Sequence, residues 1–598
     1  MENVNIIGAG LAGVSAAITL AENNIQSNLI SLQPSERAQS VLAEGGINGA
    51  LNTMGEEDAP KYHMEDTMRA GAYLADEEAI RGLTDEAPQI IRDLEGLGVA
   101  FNTQKEEILL RNFGGQKKKR TAYARSSTGK IIMTALIDEA RKYEAQGLIT
   151  RYPHHAFESL VLSDKTADRV CRGALVRNTY TTRLRFFEGP VILAIGGMNG
   201  VFPELTTGTT ANSGDALAQI FAQGVRLGNL EMIQYHPTTI GISGKRCLVT
   251  EAARGEGGRL FVLREGKPWY FMEEKYPELK NLMPRDVVSR EIYFVKKDPV
   301  CGDQVYLDMT GLSREVWEKR LPDLRAELRH YLSMDPLTTP IPVEPGIHYF
   351  MGGIDVDRKH QTNIAKLYAA GECCDQYHGA NRLGGNSMLG AIYGGRVAAR
   401  TVTEVVMAQK AQSKVRTAAE TIGGSIIENA VETVGDSIIG IAAEPPGGGN
   451  IENASERLGR DADVHGGNAK KINYEEIPET DRDFREASKQ VIYEIRDILA
   501  SAMGIVRNAQ GLRKAEEELT RLLYRDGLNE RERNRIYLAQ AIVASAISRK
   551  ESRGAHYRED YPEMDEAFWG IMLAELKRDA DIPIQITCRK AQQAEEAR

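Results

Sequence analysis

Val4-Asn-Ile-Ile7-Gly8-Ala9-Gly10-Leu11-Ala12-Gly13 is the stretch that decides how this chain is read. Its first four residues are a short apolar run that predicts a strand. Val14 to Glu22 carries helix formers at helical spacing, so the pattern is strand, glycine turn, helix. Gly8 permits the tight turn, Gly10 lets the backbone approach a pyrophosphate, and Gly13 lets helix and strand pack closely. The helix N-terminus offers unpaired N–H groups and a positive dipole end to the phosphates. The stretch therefore predicts dinucleotide binding. It departs from the nicotinamide form of the fingerprint in the next strand, Ser27-Asn-Leu-Ile-Ser31, which ends in Ser31-Leu32 where a ribose-binding Asp or Glu is expected. The ribose needs its partner elsewhere.

The bulk numbers bound what surrounds this unit. At 598 residues the chain exceeds a single core and predicts about three to five structural units. A net charge of −10 argues against nucleic acid or an anionic membrane surface as the main partner, though not against a local basic pocket. No apolar stretch approaches the roughly 20 residues that span a bilayer, and a strand starting within a few residues of Met1 leaves no room for a signal peptide. Cys171, Cys247, Cys301, Cys373, Cys374 and Cys588 have no CxxC spacing, which disfavours a metal or iron–sulfur site in this chain and suggests a reducing compartment. The expectation is a cytoplasmic protein whose membrane contact, if any, is peripheral and through a partner.

Along the chain, Gly45-Gly46 within Val41–Asn48 suggests close backbone approach to a ligand. Glu57 to Gly96 has helical spacing. Lys117 to Arg120, after the turn Arg111-Asn-Phe-Gly-Gly-Gln116, is a basic run expected to form a solvated loop tip. Thr128 to Ala145 predicts a helix, and Arg172 to Phe187 alternates like hairpin strands. Pro190–Gly197 and Lys366–Glu372 predict buried strands ending in small residues, as strands of a doubly wound sheet do where they meet a ligand. Between them, Glu231 to Gly346 shifts towards short strands and turns, an inserted domain. A helix is expected from Arg396 to about Lys414, a loop-like insert near 425–473 around Pro445-Pro-Gly-Gly-Gly-Asn450, and strong helicity from Phe484 to Lys550.

Five segments gather groups suited to a dianion: Gln234-Tyr-His236-Pro-Thr-Thr, Thr250-Glu251-Ala-Ala-Arg254-Gly-Glu-Gly-Gly258, Pro284-Arg285-Asp-Val-Val-Ser289, His348-Tyr-Phe-Met-Gly-Gly353 and His378-Gly-Ala-Asn-Arg382-Leu-Gly-Gly-Asn-Ser387. Singly, each has a bland explanation: His236 as a strand cap, Arg285 with Asp286 as a surface ion pair, His348 as a satisfied structural histidine. Together they are harder to dismiss, since an inserted domain has no structural need for His and Arg at both its seams.

With these motifs in this order, together with FGGQ, SGDA, AAGE and Glu551-Ser-Arg-Gly-Ala-His-Tyr-Arg-Glu-Asp-Tyr-Pro562, nearly the whole chain resembles the flavoprotein subunits of succinate dehydrogenase and fumarate reductase, to which L-aspartate oxidase is related. The resemblance implies an α/β fold: a doubly wound, Rossmann-like FAD-binding domain over 1–230 and 347–405, an inserted α+β capping domain over 231–346, a helical domain over 406–550 and a small C-terminal region over 551–598. It implies that Gly8, Ala9, Gly10, Leu11, Ala12 and Gly13 hold the pyrophosphate, that Ser31 and Leu32 sit by the adenosine ribose, and that Glu372 supplies the missing carboxylate. Ser40, Glu44, Gly45, Gly46, Asp215, Asn386, Ser387 and Met388 complete the implied flavin site. Phe113, His236, Thr250, His348 and Arg382 resemble the substrate cradle, and Arg285 the proton-transferring residue, fed by Glu251 and Arg254. The implied reaction is reduction of fumarate to succinate or its reverse, with hydride exchanged at flavin N5 and electrons exchanged with an iron–sulfur partner subunit.

Four departures refine this. Respiratory members carry a flavin-linking histidine in a run resembling Arg-Ser-His-Thr-Val, whereas this chain has Arg37-Ala-Gln39-Ser40-Val41, so FAD is expected to be non-covalent. Without that bond the flavin is a stronger reductant, which favours fumarate reduction, and Glu44 in place of the usual dehydrogenase Gln leans the same way. Ser126-Ser127 stands where the family often has Asp-Arg, which with the Pro445 loop puts the partner-docking surface in doubt. L-aspartate oxidase, or a reductase of another unsaturated carboxylate, is the alternative activity. A flavin-binding scaffold without turnover is the alternative class.

Overall fold

Val4–Ile7, Val191–Leu193 and Leu367–Ala369 are buried at every position, which only a sheet covered on both faces allows. In the computed structural model, which describes residues 3–125, 127–163, 169–242, 244–422, 487–578, 580 and 582–590, they belong to a five-stranded, all-parallel sheet. Its order is Leu367–Ala369, Val191–Leu193, Val4–Ile7, Ser27–Ile30, Ile149–Tyr152. The chain winds from Val4–Ile7 towards Ile149–Tyr152 on one side and resumes on the other with Val191–Leu193, so the strand order reverses beside the Gly8 turn. Helix Leu11–Glu22 packs on this sheet and against helix Thr128–Ala145. A three-stranded antiparallel sheet, Leu184–Glu188, Cys171–Asn178, His155–Leu162, adjoins it in sequence.

The inserted region is built on a six-stranded antiparallel sheet in the order Lys245–Leu248, Ile233–Ile242, Ile341–Phe350, Cys301–Asp308, Arg259–Arg264, Lys267–Trp269. Two adjacent strands, Ile233–Ile242 and Ile341–Phe350, are ten residues each rather than short, and Ile341–Phe350 runs through the expected seam at 346/347. The sequence hides this strand because Pro342, Pro345 and Gly346 read as a turn. A bulge absorbs Pro345: Pro237 and Thr238 together face it, between the pairs His236–Gly346 and Thr239–Glu344, while Pro342 pairs with Tyr306. Val288, Ile292 and Val295 of helix Arg285–Lys297 pack on Leu260, Val305, Ile341 and Val343 of this sheet.

The carboxyl-terminal part has three helices, Lys489–Ala502, Ala509–Leu523 and Glu530–Ser548, opened by side-chain caps from Ser488, Asn508 and Asn529. A hairpin, Gly570–Leu576 with Ile584–Lys590, joins Leu227–Gly228 and Gly353–Ile354 in a four-stranded sheet. By contacts the chain divides into Met1–Ala399 with Arg482–Arg598, and Arg400–Asp481. Of the latter, the end of helix Asn386–Ile422 is described. The expected insert near 425–473 and Ser126 lie outside the described residues. Among the described residues no helix is long and apolar enough to cross a membrane.

The basic run at 117–120 is solvated only at Lys117 and Lys119. Arg120 is fully buried, 3.1 Å from Asp58 and 3.0 Å from Asp66, and Lys118 Nζ donates to the carbonyls of Glu56 and Glu57. Acids some sixty residues earlier neutralise it, a pairing that local charge counting misses. Replacing Arg120 by Met leaves Asp58 without its ion-pair partner and Asp66 with Arg69 alone, and is expected to cost about 3–5 kcal/mol, measured as a lowered urea midpoint.

Candidate active site

One cavity of about 1050 Å³ extends from the Gly8 turn to the inserted sheet, at the upper end of the roughly 300–1,000 Å³ of small-molecule sites. Its outer arm lies where strands Val4–Ile7 and Val191–Leu193 part at their carboxyl ends, the usual ligand position in such sheets. Gly8 has φ +114°, and a Cβ there would sit 2.0 Å from Ala194 O, so no other residue fits. Helix Leu11–Glu22 starts at Gly10 with no side-chain cap, and the Leu11 N–H donates to Ser40 Oγ at 3.1 Å. Ala9, Gly10, Leu11, Ala12, Ser31 and Leu32 share this wall. Gly13 does not reach it, because it faces the turn behind, where a Cβ would meet Gly8 O at 1.9 Å.

The middle of the cavity is lined by Ser40, Glu44, Gly45, Gly46, Asp215, Glu372, Ser387 and Met388. Burial lifts Glu372 to about 7, and its Oε1 accepts the Phe350 N–H at 3.2 Å. Burial, helped by Glu327 and Asp323 and opposed by Arg111, lifts Glu44 to about 8, so near neutrality Glu44 is mostly protonated and Glu372 about half so. Arg111 anchors this wall by donating to Gly45 O, with its guanidinium 3.9 Å from the Tyr123 ring centre. Gln39 Oε1 accepts the Thr209 N–H at 2.5 Å. Asp215 is tied to Arg535 at 3.1 Å. Asn386 departs from expectation and does not line the cavity. Its Oδ1 accepts from Asn48 at 2.7 Å and lies 2.9 Å from His63 Nε2, and its Nδ2 donates to Thr67 at 2.9 Å, so its amide is consumed by buried partners.

The inner end is where the remaining expected residues meet: Phe113, His236, Thr250, Glu251, Arg285, His348 and Arg382 all line it, and Arg254 stands directly behind. Arg285, at the first turn of its helix, is 6% exposed and points inward. Its Nε and Nη2 both donate to Glu251 Oε2, at 3.1 and 2.5 Å, and Glu251 Oε1 accepts from Arg254 Nη2 at 2.9 Å. Asp286, its neighbour in sequence, is not its partner. Asp286 instead accepts from Asn381 at 2.9 Å. Burial would raise Glu251, but Arg285 and Arg254 hold it at about 2. Burial, with Arg285 adding to it, lowers Arg382 to about 9, still protonated at neutral pH. Burial and the nearby guanidinium groups keep His236 and His348 neutral. Their rings are 5.2 Å apart, Thr207 Oγ1 lies 2.7 Å from His348 Nδ1, and His236 Nε2 is buried without a partner.

Two residues in this constellation were not singled out from the sequence. Gln234 Oε1 accepts from Arg285 at 3.0 Å and from Arg382 at 3.2 Å, while its Nε2 donates to Asn381 and to Arg382 O. Tyr349 lies under Arg382, whose Cζ is 4.6 Å from the ring centre. Gln234 had a signal: it stands two residues before His236 on one strand, the spacing that puts side chains on one face.

The family described as FAD binding domain matches residues 3–388, and the one described as fumarate reductase flavoprotein C-term matches 528–595. The succinate dehydrogenase flavoprotein subunit of Bacillus subtilis is 35% identical over 589 residues, covering 95% of this chain and 92% of that protein. A fumarate reductase (CoM/CoB) subunit of Methanothermobacter marburgensis is 32% identical over 583 residues, 94% of each. Among solved structures, a mutated E. coli quinol fumarate reductase superposes with a TM-score of 0.77 at 27% identity, covering 100% of this chain and 98% of that one. A Mycobacterium smegmatis Sdh1 complex gives 0.71 at 27%, covering 99% and 95%. The cavity fits FAD on its own geometry: an open backbone turn at a helix N-terminus at one end, a buried carboxyl at Glu372 and glycine-walled space at Gly45 and Gly46 beyond.

Because Glu251 titrates at about 2 when folded against 4.5 when free, its stabilising effect is complete above about pH 4.5 and fades as the pH falls through 2. Glu251→Gln should therefore lose roughly 3 kcal/mol at neutral pH, with the gap in melting temperature from the parent protein narrowing as the pH falls below 4.5 and closing only near pH 2.

Proposed function

The chain belongs to the flavoprotein family of succinate dehydrogenases and fumarate reductases and is an FAD-dependent oxidoreductase, and from that we propose that it reduces fumarate to succinate, with Arg285 as proton donor. The observation that carries this is a charge imbalance. Arg254, Arg285 and Arg382 bring three positive charges and Glu251 one negative charge, which leaves two positive charges in a site from which water is largely excluded. A C4 dicarboxylate supplies the two negative charges that balance it.

Bound FAD, once reduced by two electrons, would supply a hydride to one olefinic carbon of fumarate. The residues of this chain do the rest. Arg382, His236, His348 and Thr250 hold the two carboxylates, with the neutral histidines acting through hydrogen bonds and the guanidinium through charge. Phe113 closes one wall. Arg285 delivers a proton to the other carbon. Glu251 returns one to Arg285 from Oε2 while taking one from Arg254 on Oε1, so a proton moves inward along three side chains already in contact. Enclosure strengthens each of these contacts.

Gln39 bears on the working direction. A primary amide cannot form the histidyl-type bond to the flavin, so FAD is held by contacts alone, and an unlinked flavin is the stronger reductant. A protonated Glu44 beside it leans the same way. The electrons come from an iron–sulfur partner subunit, since the six cysteines of this chain have no CxxC pair.

Reduced viologen should be oxidised on adding fumarate to the FAD-loaded protein, and failure with fumarate but turnover of aspartate with oxygen would move the reading to the oxidase. Arg285→Lys should keep FAD yet lose most turnover; near-normal rates would place the proton donor elsewhere. Acid precipitation should release all yellow colour into the supernatant, whereas fluorescence remaining on the denatured band would contradict the inference from Gln39.

A further inference from the structure

The C-terminal motif Ser552-Arg-Gly-Ala-His556 has no part in the chemistry above, and none of its atoms line the cavity. It nevertheless lies directly behind the loop that carries Arg382. Ala380, two residues before that guanidinium, is completely buried, and both its backbone polar groups are tied to other segments. Its N–H donates to Gly71 O at 2.9 Å, and its carbonyl accepts the Ala555 N–H at 2.9 Å. Backbone meets backbone here. Gly554 has φ +54°, and a Cβ on it would fall 2.5 Å from Ala380 O and 2.8 Å from Ala380 Cβ.

The turn is itself fixed. Arg553 and His556 exchange backbone hydrogen bonds at 2.8 and 3.0 Å. The Arg553 guanidinium donates to Glu551 at 2.8 and 2.9 Å and to Ala72 O at 3.1 Å, next to the Gly71 contact on the far side of Ala380. Glu551 pairs with Arg549 at 2.8 Å, and Arg549 with Glu231 at 2.6 Å, all three fully buried. Glu231 precedes Gln234, the side chain that joins Arg382 to Arg285, by three residues. The motif therefore grips both segments from which the Arg382–Gln234 contact is made.

We propose that the Ser552–His556 turn is a positioning element for substrate binding: it sets the Ala380 backbone, and through it the place of the Arg382 guanidinium. The proposal rests on reading Arg382 as a dicarboxylate ligand. A loop held at both peptide groups of Ala380 has little freedom, so moving its support moves the charge.

The test uses the FAD-loaded full chain and malonate, a dicarboxylate with no double bond to reduce, followed through the flavin absorption spectrum. Gly554→Ala is expected to raise the malonate Kd and the fumarate KM about tenfold, with FAD content and kcat at saturating fumarate within about twofold of the parent. Arg558→Met cuts the tail's bonds to the carbonyls of Ala546 and Ile547 without touching Ala380. It should lower the melting temperature and leave malonate affinity unchanged. Unchanged affinity in Gly554→Ala, or an equal loss in Arg558→Met, overturns the proposal. Arg382→Ala measured in parallel separates the two ideas: parent-like malonate binding there sinks the reading of Arg382, whereas loss there with full affinity in Gly554→Ala sinks only the clamp. If Gly554→Ala does not fold, Arg553→Lys, which keeps the Glu551 charge pair and gives up the bond to Ala72, should shift malonate affinity the same way, and no shift overturns the proposal.

Discussion

An excess of buried positive charge governs this molecule. Arg254, Arg285 and Arg382 share one carboxylate, and isolated ions of this kind cost several kcal/mol each to remove from water. The protein tolerates them by spreading neutral acceptors around them: Gln234 Oε1 between two guanidinium groups, the carbonyl of Asn281 at 2.7 Å from Arg254, the face of Tyr349 under Arg382. None of these cancels a charge. The arrangement is pre-organised for an anion, and the stability it forgoes is recovered in the cores of the sheets around it.

The fold meets this constraint by drawing each charge from a different segment and fixing each at its root. Arg285 opens a helix whose other inward residues belong to the core of the inserted sheet. Glu251 stands at the N-cap of the short helix Ala252–Gly255 and Arg254 within it, three residues apart on one face. Glu251 is crowded by Gly114 and Gly384, where added Cβ atoms would lie 2.9 and 2.6 Å from its oxygens. Those glycines let a loop of the parallel-sheet region come against the inserted region without displacing the carboxylate.

Much of this was legible in the sequence because the decisive features are local. The glycine turn reads from ten consecutive residues, and Thr128–Ala145 was bounded by its periodicity alone. The inner cluster was legible as residue types at two seams. What was missed depends on partners far along the chain. Arg120 looked like surface because Asp58 and Asp66 are some sixty positions away. Asn386 looked like a ligand residue because its motif is one, yet Asn48, His63 and Thr67 occupy its amide. Strand Ile341–Phe350 was hidden by Pro342 and Pro345, the second of which faces a bulge in the neighbouring strand.

That strand has one more implication. It begins in the inserted sheet beside Cys301–Asp308, presents His348 to the inner end of the cavity, and finishes with the Phe350 N–H on Glu372 in the middle. A single stiff ribbon is thus shared by the inner end of the cavity and by its middle, beside Glu372. Whatever one occupant does to the lie of this ribbon the other must feel, and thermodynamic reciprocity makes the coupling equal in both directions. Retention of the prosthetic group and occupancy of the inner end are therefore linked through one strand.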